Sequence, residues 1–171
     1  MIPQGDFHIH STFSDGKNTA EEMVQKALEL GFSALGFAEH SQTGDPDYMD
    51  PEKEAAYALE LARLKMKYRG KIHLLWGIEQ DYYSLCPADP AYDYVIGSVH
   101  TIQKDGNIID VDYSLERTKA DLQKYYRDVY DYVEDYFAHV AKLPQVTTMD
   151  IIGHLDLLTK WQEIEPLFDE S

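Results

Sequence analysis

Thiols are nearly absent from this sequence: Cys86 is its one cysteine. An internal disulfide is thereby excluded, and a reducing compartment is the natural expectation. Basic residues are also scarce, 15 Lys and Arg against 31 Asp and Glu, giving a formal net charge of -16 at pH 7. A nucleic-acid-binding surface needs clustered Lys and Arg, so that class of partner is excluded. No segment reaches the roughly 18 consecutive apolar residues of a membrane span. The opening MIPQGDFHIH has neither a basic n-region nor an apolar h-region, so no secretory signal is expected. A P-loop, a nucleophile elbow, a dinucleotide fingerprint, internal repeats and linker-like stretches are missing too. One domain over residues 1–171 of a cytoplasmic protein is expected.

What is present is an alternation of strand-like and helical patterns. Apolar runs at 6–10, 34–40, 72–82, 92–100 and 150–158 predict strands. In TAEEMVQKALELG, Thr19 and Glu22 form a capping box, Met23, Val24, Ala27 and Leu28 make an apolar stripe, and Gly31 ends the helix. Asp50 and Pro51 open a second helix that Gly70 closes. A third helical region is predicted from Ser114 to Leu143, with Leu122, Tyr126, Val129, Val133, Tyr136, Phe137 and Val140 as a core-facing stripe. Such alternation implies parallel strands with right-handed crossovers. The third and fourth strands are joined by SLCPADPAY, too short and proline-rich for a helix. An irregular α/β barrel, or part of one, fits better than a regular eight-fold barrel.

The histidines follow the strand ends. His8 and His10 are two apart in a strand and project from one face, as two ligands of a single metal ion must. His40 ends the second strand, Glu79 lies near the end of the third, His100 ends the fourth and His154 lies near the end of the fifth. Carboxyl ends of parallel strands are where functional groups gather. Imidazoles and carboxylates without thiolates suit Zn, Mn or Fe. Several around one cavity suggest two or three divalent ions, an arrangement suited to hydrolysis at phosphorus. Such ions would also reconcile an acidic chain with an anionic substrate. Asp15, beside Gly16, reads either as a ligand turned back into the cavity or as an ordinary turn residue. His73, six residues before Glu79, is expected as an interior histidine at the opposite barrel end, and His139 as a surface or packing residue. Cys86 has no neighbouring His in sequence and is a poor nucleophile candidate. Arg117 and Lys119 read as phosphate-orienting cations or as plain surface charge.

The motifs DFHIHSTFSDG, GFAEHS, GIEQDY, IGSVH and IIGHLDLL, in that order, resemble the PHP (polymerase and histidinol phosphatase) superfamily. The pairing of GSVH with GHLDLL is most similar to its histidinol-phosphatase branch. The resemblance implies an irregular (β/α)7 TIM-like barrel with a trinuclear metal cluster that hydrolyses phosphomonoesters by attack of a metal-bound hydroxide. It implies a first ion on His8, His10 and Glu79, a second on Glu79, His100 and His154, and a third on Asp15 and His40. The implied substrate is histidinol phosphate, within histidine biosynthesis. A phosphotyrosine-protein or nucleotide phosphatase, or a silent metal-binding module, are the alternatives. The family's C-terminal Asp-x-His motif is not found here, and the last two barrel strands are expected to be missing. Either the chain is a fragment or truncated gene product, or a second copy covers the open barrel side.

Overall fold

The computed structural model describes residues 5–161 and Leu167. Five parallel strands form one sheet: β1 (Gly5–Ile9), β2 (Ala34–His40), β3 (His73–Asp81), β4 (Tyr94–Ser98) and β7 (Ile151–Ile152), adjacent in that order. Helix α1 (Ala20–Glu29) makes the first crossover and α2 (Pro51–Lys67) the second. Both follow the capping chemistry of the sequence. Thr19 and Glu22 complete the reciprocal box, and Asp50 accepts from the Lys53 amide ahead of Pro51. Gly31 and Gly70 adopt left-handed φ values of 79° and 78° just past the helices, a conformation that costs glycine nothing.

Three elements differ from the sequence expectation. The single third helix is three: α3 (Leu115–Tyr125), α4 (Val129–Val140) and α5 (Leu143–Val146). Tyr126 turns extended, and Asp128 starts a fresh helix by accepting from the Asp131 amide, so capping overrides the continuous apolar stripe. Tyr126, Tyr136 and Val140 are buried as expected, whereas Phe137 is exposed and Tyr132 takes its place in the core. Between β4 and α3 lies an unanticipated antiparallel hairpin, β5 (Thr101–Lys104) with β6 (Asn107–Asp110). Asp105 and Gly106 turn it, both with positive φ, as a two-residue hairpin loop requires. The fifth strand shrinks to Ile151–Ile152, so His154 stands on the turn beyond it.

The sheet is curled. Four strand spacings separate β1 from β7, roughly 19 Å in a flat sheet. Yet His8 on β1 and His154 just past β7 stack their rings at 5.6 Å. The described residues thus form part of a TIM-like barrel, with an apolar layer between the sheet and α1 and α2 (Val24, Phe37, Leu61, Leu64) on its convex side. A second apolar cluster joins the hairpin to α4.

Tyr94 floors the concave side. Its hydroxyl donates to the carbonyls of Phe7 and Phe37, so the ring reaches from β4 across β3 to the far strands. A Cβ at Gly77 would stand 2.4 Å from that ring, which is why only glycine fits there. No helix among the described residues is long and apolar enough to cross a membrane.

Candidate metal centre

Above the Tyr94 floor, at the carboxyl ends of the strands, opens a cavity of about 560 Å³. His8, His10, Asp15, His40, Glu79, His100 and His154 all line it. Strand alternation explains the convergence. In β3, Gly77, Glu79 and Asp81 share one face, and the β2–β3 register sets His40 directly beside Glu79. His10 and His100 stand just past their strands, and the His100 amide is held there by the Asp81 carboxylate at 3.2 Å.

Glu79 is the hub. It is 1% exposed, and both oxygens face imidazoles. Oε1 lies 3.0 Å from His8 Nε2, 3.3 Å from His100 Nε2 and 2.9 Å from His154 Nε2. Oε2 lies 3.4 Å from His10 Nε2 and 3.1 Å from His40 Nδ1. The Ser98 hydroxyl donates to Oε1 at 2.6 Å. Asp15 Oδ1 sits farther out, 3.7 Å from His10 Nδ1 and 3.6 Å from His40 Nε2.

Charge is distributed accordingly. Burial would raise the Glu79 carboxyl, but His100 and its neighbours hold it well below the usual carboxylate range. Burial likewise opposes protonation of His100, yet Glu79 and Asp81 push it up to about 10. Burial, with His40 beside it, brings His10 down to about 4. The His40 ring, 3.6 Å away, brings Asp15 down to about 2.

The donor set fits divalent cations. Buried His10 Nδ1, His40 Nδ1, His154 Nδ1 and Glu79 Oε2 have no aligned hydrogen-bond partner, although His40 Nδ1 and Glu79 Oε2 are only 3.1 Å apart. Two N or O ligands about 2.1 Å from one ion stand about 3.0–3.4 Å from each other at octahedral to tetrahedral angles. Three groups bring their donor atoms within 4.8 Å of one another: His8, His10 and Glu79; His10, Asp15 and His40; and His40, Glu79 and His100. Seven carboxylates line the cavity (Asp15, Asp45, Asp47, Glu79, Asp81, Asp110 and Asp112), with Lys160 as the one lining Lys or Arg among the described residues. Lys160 itself is paired to Asp112 at 2.9 Å.

Sequence reasoning passed over several neighbours. Asp81 accepts from His100 Nδ1 at 2.9 Å, which leaves Nε2 facing Glu79; its two-residue offset from Glu79 was the available signal. Tyr48 stacks on His40 at 4.0 Å from a loop with no periodic pattern to reveal it. Other candidates fall outside. Arg117 pairs with Asp121 at 2.7 Å, and neither Arg117 nor Lys119 lines the cavity. His73 does lie at the opposite end of its strand but is exposed rather than interior, because β3 begins there beyond the packed layer. His139 packs against Tyr83, whose hydroxyl is 3.0 Å from Nε2. Burial raises the Cys86 thiol, and it is not part of the cavity wall.

A curled parallel sheet carrying a histidine–carboxylate cluster on its carboxyl rim defines a barrel of the metal-site type. Residues 6–171 match the PHP domain model, and the chain belongs to that family, on its histidinol-phosphatase branch. It is 30% identical to the histidinol-phosphatase of Bacillus subtilis, over 94% of this chain and 69% of that protein. A Listeria monocytogenes structure assigned as a histidinol phosphatase superposes with a TM-score of 0.78 at 22% identity, covering 94% of this chain and 70% of that one. The Lactococcus lactis histidinol phosphate phosphatase, solved with zinc, L-histidinol and phosphate, gives 0.63 at 23%, covering 92% and 60%. The chain spans between 54% and 69% of the length of its histidinol-phosphatase relatives.

Proposed function

We propose that this chain is a metal-dependent phosphomonoesterase acting on histidinol phosphate. One observation carries the reading: a buried carboxylate, Glu79, within 3.4 Å of ring nitrogens from five histidines. His8, His10 and Glu79 would hold one ion, Glu79, His100 and His154 a second, and Asp15 with His40 a third. His10 is close enough to complete the third set. Divalent ions bound there supply Lewis acidity toward phosphate oxygens and acidify water.

The chain's own residues do the rest. Asp81 fixes the His100 tautomer so that Nε2 faces the cluster. The carboxylates on the cavity wall would repel a phosphate ester unless cations were bound among them, which supports the metal reading. Zinc and a small phosphate ester are supported by the Lactococcus lactis relative; iron or manganese suits the same donors. Cytoplasmic location belongs to the same proposal, as does a second copy against the open barrel side. There Phe7, Ile151 and Ile152 are between 41% and 45% exposed. The test is a turnover panel of histidinol phosphate, phosphotyrosine peptide and nucleoside monophosphates on zinc-loaded protein. Preference for histidinol phosphate is expected; turnover of none of them would contradict the reading.

A further inference from the structure

Glu39 is a carboxylate that the proposed chemistry does not use. It precedes His40 on β2, so strand alternation turns it away from the cavity and into the packed side of the sheet, where it is 0% exposed. A buried charge is costly unless hydrogen bonds compensate it. Here they come from one short segment, the loop after β1. The Ser11 amide reaches Oε1 and Oε2 at 2.9 and 3.0 Å, the Ser11 hydroxyl reaches Oε1 at 2.5 Å, and the Ser14 hydroxyl reaches Oε2 at 2.6 Å.

That loop carries Asp15. Its other backbone hydrogen bonds are internal, the Ser14 and Gly16 amides both donating to the Ser11 carbonyl, and the Phe13 ring packs against Tyr57 at 5.5 Å. At Gly16 a Cβ would fall 2.5 Å from the His10 carbonyl oxygen, so the turn is as tight as it can be. Asp15 thus stands between two pinned neighbours, with its own side chain half exposed. Phe13 packs on the core side of α2, but among the described residues the Ser14 hydroxyl reaches the sheet through Glu39.

We infer that Glu39, acting through Ser11 and Ser14, is a positioning residue that holds Asp15 against His10 and His40 and so governs occupancy of that one subsite. The inference rests on the metal reading proposed above. It also ranks the subsites: the one using Asp15 has the longest donor separations and the most exposed carboxylate, so it fills last.

The experiment is zinc uptake by the full chain, measured by elemental analysis after equilibrium dialysis across a series of free Zn²⁺ concentrations. Asp15→Ala identifies the class of sites that depends on Asp15. Ser14→Ala is expected to weaken that same class by about 10- to 100-fold, the range for substitutions behind a metal ligand, and to leave the tighter classes unchanged. Ser14→Thr, which keeps the hydroxyl, should restore it, and Glu39→Gln should weaken it at least as much as Ser14→Ala. Should Glu39→Gln fail to fold, the Ser14 pair decides alone. Unchanged uptake in Ser14→Ala, or uniform weakening of every class, overturns the inference while the metal reading stands. Wild-type chain that takes up no zinc overturns both.

Discussion

Glu79 and His154 are 75 positions apart in the sequence and meet at 2.9 Å, Oε1 to Nε2. The pair joins the centre of the sheet to the turn beyond its edge strand, and it exists only because the sheet curls. Gly153 permits the approach, since a Cβ there would lie 2.3 Å from the Ser98 hydroxyl that also bonds Glu79.

Asp81→Asn should separate orientation from ligation. The amide can offer its NH2 where His100 Nδ1–H now donates, which destabilises the present tautomer. A loss of about 10- to 100-fold in zinc affinity is expected, with the fold retained. Zinc titration with circular dichroism on the same samples checks both.

The floor of the site is a stability prediction. Tyr94→Phe removes the hydroxyl donated to the Phe7 and Phe37 carbonyls and should cost about 1–3 kcal/mol. Gly77→Ala drives a methyl into the Tyr94 ring and should cost about as much or more. Urea denaturation measures each; two wild-type midpoints would remove Tyr94 as the barrel's floor.

In ion-stripped protein, pH should act on stability in two opposite limbs. His10 is depressed to about 4 from 6.5, so the unfolded chain binds the extra proton and stability falls as pH drops from 6.5 toward 4. His100 is raised to about 10, so its contribution is complete below 6.5 and is lost as pH rises toward 10. A maximum near pH 6.5 is expected. His100→Gln should flatten the alkaline limb, and an unchanged limb in that variant would contradict the assignment.

Self-association through the open side of the sheet is the expected outcome. β1 pairs with β2 and β7 with β4, and among the described residues neither has a partner on its other edge. Unpaired strand edges with exposed Phe7, Ile151 and Ile152 favour pairing with another chain. Light scattering coupled to size exclusion should report a dimer; a clean monomer would remove this expectation.

Much of this was legible in the residues. Apolar runs gave the strands that carry His8, His40 and Glu79, and the capping chemistry at Thr19 and Asp50 gave both crossover helices. The break after Tyr125 was not legible from the apolar stripe, because a cap at Asp128 decides it locally. The Asp105–Gly106 turn carried a readable hairpin signal, but its strands are only four residues each. Tyr48 and Glu39 were hidden for another reason. One lies in an aperiodic loop, and the other earns its place through contacts with a loop 25 to 28 positions away.

The most direct measurement is the zinc content of the full chain beside Glu79→Gln, each dialysed against the same buffered free Zn²⁺. Wild type should retain two to three ions per chain. The Gln variant should lose at least about 100-fold in affinity, because even substitutions behind a ligand cost 10- to 100-fold. Equal zinc in the two proteins, or none in either, would contradict a centre organised around Glu79.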